Sequence, residues 1–162
     1  MLLLPHKAMI RLMLQAGLRV SEVANLELDD YKKWGSEGTI DIRQGKGGKM
    51  DTVKAVKDIC RAIDEWLEVR ESQTNAMFIS NRGEKMSRQA IHKQVKPYLE
   101  QITGNEDITI HSLRHTFCKN LLDATNGDLS LVLPNVKFEE ALKSDEHSFS
   151  FQKINHMCNL LL

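Results

Sequence analysis

Two arginines, a histidine and a lysine in this sequence are of types that suit chemistry at a phosphate group. The guanidiniums of Arg19 and Arg114 are fixed forks of donors, which match phosphate oxygens better than an ammonium does. A phosphodiester gains charge on its non-bridging oxygens in a pentavalent transition state, and two guanidiniums would stabilise that charge. Lys46, or alternatively Lys49, is the candidate to protonate the leaving oxygen. His111 is the candidate for proton transfer in both directions, because imidazole titrates near neutral pH.

Two further residues are candidates for supporting roles. Glu22 follows Arg19 by three positions and is expected to buttress it. His115 lies one helical turn after His111 and either contacts phosphate or fills a capping or core position. This histidine pair lacks the intervening glutamate of a zinc-protease helix, so we predict neither a metal site nor a cofactor. Cationic side chains would neutralise the phosphate instead.

Each of these features also has a plain structural explanation. An arginine between two helices is usually a surface or ion-pair residue. A turn rich in glycine and lysine is usually solvated, and a histidine three residues before an arginine only shares a helical face with it. The order of the three segments along the chain is more informative than any one of them.

Taken in that order, the segments resemble the catalytic domain of the tyrosine site-specific recombinases, the phage-integrase family that includes Xer-type recombinases. Residues 17–23 (GLRVSEV) resemble its first arginine box, 45–49 (GKGGK) its catalytic-lysine turn and 111–117 (HSLRHTF) its His-x-x-Arg box. The resemblance runs from about residue 9 to 132. It implies strand cleavage and rejoining at a scissile phosphate, double-stranded DNA as partner, and a homo-oligomer on that DNA.

The nucleophile that this resemblance implies has no match here. The family's tyrosine follows the His-x-x-Arg box and a Leu-Gly-His motif, whereas Tyr31 and Tyr98, the two tyrosines present, both precede Arg114. Residues 133–136 (LPNV) stand where the Leu-Gly-His helix should begin, and their proline would interrupt it. We therefore expect no covalent catalysis by this chain alone, unless a partner protomer supplies a tyrosine.

The same resemblance implies that the chain has two regions. Residues 1–132 form a recombinase catalytic core, and residues 133–162 form a divergent C-terminal segment. We interpret the chain as truncated at both ends, with a C-terminus that is replaced or read out of frame. Two other functions stay open: a non-catalytic DNA-binding or oligomerisation module derived from a recombinase, and a small phosphate-handling hydrolase that uses His111.

Composition narrows the class of protein. The 162 residues include 22 Lys and Arg against 22 Asp and Glu, so the formal net charge is zero. No apolar run reaches the ~18–20 residues of a membrane helix, so no membrane partner is predicted. Three widely spaced cysteines are typical of reduced thiols, and we expect a cytoplasmic protein.

The neutral total hides two basic windows. Residues 43–57 hold five bases and one acid, and residues 82–96 again hold five bases and one acid, a net +4 in each case. The compensating acids lie in other segments of the sequence, such as residues 27–30. The windows either form one face for a polyanion or two solvated surfaces of mixed charge.

The elements that must position these residues form a mainly α-helical α+β plan with one small antiparallel sheet. Ser21 is the expected N-cap of a short second helix, and Pro97 should kink or split the fourth. Hydrophobic periodicity and turn residues predict the following segments: a helix over 7–16 that stops at Gly17, a helix over 22–26, a β-hairpin from 38–43 and 49–56, a helix over 57–70 with Ile59, Ile63, Trp66 and Leu67 on one face, a Ser87-capped helix to about 102, and a helix over 111–123.

Overall fold

The computed structural model describes residues 3–43 and 50–126. Within these ranges the chain forms five helices and a three-stranded antiparallel sheet, which confirms the predicted fold class. The elements are α1 (Leu4–Gln15), α2 (Val20–Asn25), β1 (Tyr31–Trp34), β2 (Glu37–Arg43), β3 (Met50–Ala55), α3 (Lys57–Val69), α4 (Arg88–Thr103) and α5 (His111–Ala124), with a 3-10 turn at Leu28–Asp30.

Helix α1 is the centre of the core. Pro5 lies in its first turn, where the fixed φ and missing N–H of proline cost nothing. Apolar side chains are buried around most of the helix, because α3 and α5 pack against it. The helix ends before Gly17, which adopts a left-handed φ of 69°. This glycine is the predicted stop, and it turns the chain toward α2.

The sheet has the order β1-β2-β3, and the predicted β2–β3 hairpin is confirmed. Ile40 pairs with Tyr31 on one side and Val53 on the other, and its side chain is fully buried. Strand β1 was not predicted. Its Tyr-Lys-Lys-Trp sequence is mostly exposed and shows no alternation of apolar and polar residues, the usual mark of a strand.

The outer face of the sheet carries a polar ladder. Lys32 Nζ donates to Asp41 Oδ2 at 2.6 Å, and Thr52 Oγ1 donates to Asp41 Oδ1 at 2.8 Å. The hydrogen bonds from Lys32 and then Thr52 lower the pKa of Asp41 below its ordinary value near 3.8, because both favour the carboxylate form. Asp41 of β2 thus links Lys32 of β1 to Thr52 of β3.

Helix α3 buries the face that its periodicity predicts. Ile59, Ile63 and Trp66 are buried, and the Trp66 indole N–H donates to the Met77 carbonyl at 2.9 Å. The second tryptophan, Trp34 at the end of β1, is 59% exposed. The two tryptophans of the chain therefore lie in opposite environments.

Two details of the helices differ from expectation. The N-cap of α2 is Arg19 and not Ser21, because the Arg19 N–H finds an acceptor in the Glu22 carboxylate. Helix α4 runs through Pro97 without splitting, since that residue is exposed and water can satisfy the carbonyl that loses its donor. The predicted cap of α4 is confirmed, with Ser87 Oγ accepting from the Ala90 N–H at 3.1 Å.

No helix in residues 3–43 or 50–126 has the length and apolar character needed to cross a membrane.

Candidate active site

The turn between α1 and α2 presents Arg19. After Gly17 the buried Leu18 anchors the chain, and Arg19 takes an extended conformation at the start of α2. Glu22 holds Arg19 twice: Oε2 accepts the backbone N–H at 2.6 Å, and Oε1 accepts Nη1 at 3.1 Å. The Arg19 side chain is 31% exposed, so its guanidinium is oriented by Glu22 and still open to solvent on one side.

The first turn of α5 presents the second group of candidates. His111 is its first residue and is exposed, whereas Arg114 is buried. The His111 and His115 rings meet edge to face with centroids 4.5 Å apart. The positive end of the helix macrodipole lies here, together with the guanidinium charge of Arg114. This end of α5 is suited to an anion.

Two contacts bring these segments together. Arg114 Nη1 donates to the Gly17 carbonyl oxygen, across 97 positions of the sequence. A Cβ on Gly17 would lie 2.4 Å from Phe117 Cδ1, so the phenyl ring fills the space that glycine leaves. The turn that carries Arg19 is thus in direct contact with the helix that carries His111 and Arg114.

The candidate lysines, Lys46 and Lys49, lie outside the described residues. The strands on either side are described, and Arg43 at the end of β2 pairs with Met50 at the start of β3. The base of the hairpin therefore has a defined place, and the roles of the two lysines stay predictions.

Sequence comparison decides the family. The profile of the phage integrase family matches residues 2–132, most of the chain. The chain belongs to the phage integrase family. Tyrosine recombinase XerC from Pseudomonas entomophila (strain L48) is 33% identical over 122 residues, which cover 74% of this chain and 40% of that protein. Tyrosine recombinase XerA from Pyrococcus horikoshii is 32% identical over 123 residues, covering 74% and 42%. The chain spans about two fifths of the length of these relatives.

Solved structures of phage-integrase relatives show the same fold. The post-cleavage complex of XerH recombinase with a palindromic difH substrate aligns with a TM-score of 0.72 at 21% identity, covering 97% of this chain and 45% of that one. The XerA recombinase crystal structure aligns with a TM-score of 0.69 at 23% identity, covering 91% and 51%. The resemblance to a tyrosine recombinase catalytic domain is confirmed at the level of family and fold.

Both tyrosines of this family member make structural contacts. Tyr31 donates from its hydroxyl to Asp64 Oδ1 at 3.1 Å. Burial, together with Cys60 and Asp64, raises the pKa of Tyr31, so its hydroxyl stays protonated. The Tyr98 ring lies 5.2 Å from the buried ring of His6. Tyr31 links β1 to α3, and Tyr98 links α4 to α1.

The basic windows look different once the chain is folded. Arg43 Nη1 contacts Glu27 at 2.7 Å, and Lys54 contacts Glu37 at 3.0 Å. Part of the first window is therefore neutralised by acids that are distant in sequence, which a count of charges along the chain cannot detect. In the second window three side chains are exposed and make no ion pair among the described residues: Arg82, Arg88 and Lys93. Across residues 3–43 and 50–126, no group of three His, Cys, Asp or Glu side chains is placed to hold a metal.

Proposed function

We propose that this chain is the catalytic core of a site-specific DNA recombinase of the tyrosine type, which holds a scissile phosphate with Arg19 and Arg114. The observation that carries the proposal is the contact of Arg114 and Phe117 with Gly17. It joins two arginine segments that are far apart in sequence at one turn, from which the partly exposed Arg19 side chain extends. Two guanidiniums near one phosphate would stabilise the charge that develops on its non-bridging oxygens.

The other candidates take roles around this clamp. Glu22 orients Arg19 through its two hydrogen bonds. His111, exposed at the start of α5, exchanges protons with the reacting oxygens, and His115 supports its ring by the edge-to-face contact. Lys46, with Lys49 as the alternative, protonates the 5′-oxygen as it leaves the phosphorus.

The covalent step is not available to this chain alone. In that step a tyrosine hydroxyl would give its proton to His111 and its oxygen would bond to phosphorus. The bond from phosphorus to the 5′-oxygen would break, and that oxygen would take a proton from the general acid. Tyr31 and Tyr98 precede Arg114 in sequence and are held by Asp64 and His6. We infer that the chain binds and polarises the phosphate without cutting the strand, unless a second protomer donates a tyrosine.

A second function follows from the same observation. A recombinase core whose tyrosines serve packing is equally suited to act as a non-catalytic DNA-binding or oligomerisation module. In both cases the partner is double-stranded DNA, and residues 1–132 form the working unit, with residues 133–162 as an addition to it. The two functions differ only in whether strand cleavage can be restored by a tyrosine in trans.

The DNA-binding surface is expected to include the start of α4. Arg82, Arg88 and Lys93 are exposed and make no ion pair with described residues, so binding DNA would not require them to break one. Lys85, also exposed, donates to the Asn25 amide oxygen at 3.0 Å, and this neutral partner does not offset the lysine charge. The surface around these four basic residues is therefore positively charged although the whole chain is neutral.

The test is binding of the full chain to a pool of random-sequence DNA duplexes at low salt, followed by denaturing gel electrophoresis. We expect retention on DNA that falls steeply with salt, and no adduct that resists denaturation. Arg19→Gln should weaken binding, whereas Lys54→Gln, which breaks an exposed ion pair on the sheet, should not. Absence of binding at low salt would refute the proposal. A covalent adduct on any residue of the chain would refute the claim that the chain lacks a nucleophile.

A mixing experiment distinguishes the catalytic core from the non-catalytic module. The chain is combined with a relative that carries the tyrosine but whose own arginine clamp has been removed by substitution. Cleavage of nicked duplexes by the mixture supports a catalytic core that accepts a tyrosine in trans. Binding without cleavage in the mixture supports the non-catalytic module.

A further inference from the structure

Arg43 lies at the base of the β2–β3 hairpin, where its guanidinium is engaged by two acids. It is the last residue of β2 and pairs with Met50, the first of β3. Its guanidinium turns back to two carboxylates: Nη1 lies 2.7 Å from Glu27 Oε2, and Nη2 lies 2.8 Å from Asp30 Oδ1. One side chain therefore bridges the end of the hairpin to the segment that follows α2.

The acidic side of this bridge is itself held in place. Asp30 is buried, and its second oxygen accepts the Glu27 N–H at 2.9 Å. Asn75 donates to the same Glu27 oxygen at 3.3 Å, and its carbonyl accepts the Leu28 N–H at 2.8 Å. Other contacts thus hold the two carboxylates in place. The bridge therefore costs little conformational entropy beyond that of ordering the Arg43 side chain.

This bridge joins two parts of the proposed site. The segment with Glu27 and Asp30 is the direct continuation of α2, whose first turn presents Arg19. In the sequence, residues 44–49 between Arg43 and Met50 include the lysines that are the candidate general acids. A displacement of the hairpin base relative to α2 would change the distance between acid and clamp.

We propose that Arg43 is a positioning residue, which fixes the base of the β2–β3 hairpin relative to the arginine-box helix α2 by bridging Glu27 and Asp30. The anchoring is a property of the folded chain by itself. Only its consequence, the placement of the general acid, rests on the proposed function. A lysine at this position would keep the charge, but a single ammonium does not match the forked geometry of two carboxylates.

Hydrogen–deuterium exchange of the free protein, resolved to single residues, tests the anchoring. Arg43→Gln is expected to speed exchange of the β2 and β3 amides near the hairpin base by about tenfold, because without the bridge the hydrogen bonds between the two strands open more often there. Lys54→Gln is the matched control, because it breaks an ion pair at the opposite end of the same two strands. Arg43→Lys should give an intermediate rate. Equal exchange in the wild type and Arg43→Gln would overturn the proposal.

A double substitution separates anchoring from a general loss of stability. If the bridge is the cause, Glu27→Gln combined with Arg43→Gln speeds exchange no more than Arg43→Gln alone, because the shared contact is already gone. Additive effects of the two changes would show that they act separately and would overturn the proposal. Exchange in α1, remote from the bridge, should stay at the wild-type rate in every variant.

Lysine footprinting on DNA gives the functional readout. In the wild type, saturating duplex DNA should protect Lys46 from an amine-reactive reagent. In Arg43→Gln this protection should fall at least threefold while affinity changes less than threefold, and protection that persists would overturn the positioning role. If the wild type fails to bind DNA, the proposed function fails, and the exchange experiment still decides whether Arg43 anchors the hairpin.

Discussion

Arg114 donates a hydrogen bond to the carbonyl oxygen of Gly17, a residue 97 positions earlier. The acceptor lies two residues before Arg19, so the second arginine of the proposed clamp is attached to the turn that carries the first. The contact restrains the Arg114 guanidinium, which the proposed phosphate clamp requires.

Arg114→Lys should destabilise the fold. The substitution keeps the charge but loses the fork that reaches the Gly17 carbonyl, and a hydrogen bond from a charged group contributes about 1.5–3 kcal/mol. Urea denaturation should show a decrease of that size in the free energy of unfolding. Arg88→Lys on the exposed start of α4 is the control and should stay within about 0.5 kcal/mol of wild type. Equal stability of the two variants would contradict the structural role.

Gly17→Ala should cost more than Gly35→Ala. Both glycines have left-handed backbones, with φ of 69° and 63°, so both changes introduce backbone strain of about 1–2 kcal/mol. At Gly17 the new methyl would lie 2.4 Å from Phe117, whereas at Gly35, apart from its chain neighbours, no atom of residues 3–43 or 50–126 lies within 4 Å of it. Thermal denaturation should therefore show the larger loss at Gly17, and Phe117→Leu should reduce the excess. A Phe117→Leu background that leaves the excess unchanged would refute the contact.

Asp41→Asn should flatten the acid limb of the stability profile. The folded pKa of Asp41 is lowered, chiefly by Lys32, so its contribution is complete above about pH 5 and is lost as the pH falls through 3.8 toward the lowered value. Denaturation between about pH 3 and 6 should show a smaller loss of stability in the variant than in the wild type. Lys32→Gln should flatten the profile in the same direction, and Lys54→Gln, on the same sheet face, should not.

Arg88→Gln and Lys93→Gln should each reduce the salt dependence of DNA binding. Each phosphate contact contributes about 0.9 to the slope of log K against log salt, so each variant should lower the slope by about that amount. Fluorescence anisotropy with one duplex across a salt series measures it. Lys54→Gln again serves as control, since Lys54 is engaged by Glu37. Slopes that do not change would place the DNA elsewhere on the surface.

Local patterns predicted most of the elements. The apolar face of α3, the Ser87 cap of α4 and the glycine stop after α1 are all visible within a few neighbouring residues, and each is found as expected. Strand β1 was missed because three of its four residues are exposed and only pairing with β2 makes it a strand. Such an element depends on its neighbour and not on its own sequence.

Contacts between distant segments account for the remaining differences. A charge count assigned Arg43 to a basic window, but its folded partners are Glu27 and Asp30, which the count placed among separate acids. Likewise, the glycine at position 17 predicted a helix stop, whereas its second role, making room for Phe117, depends on a helix a hundred residues later. The candidate residues and the local Glu22–Arg19 contact were visible in the sequence, and the contacts between distant segments were not.

The opposite surroundings of Trp34 and Trp66 give the protein two optical reporters with separate meanings. Trp66 is sealed in the core with its indole bonded to Met77, so its emission should be blue-shifted and insensitive to iodide. Trp34, exposed at the end of β1, should emit at longer wavelength and be quenched readily. Because these are the only tryptophans in the chain, the blue component follows global unfolding, and the quenchable component follows events at the sheet surface.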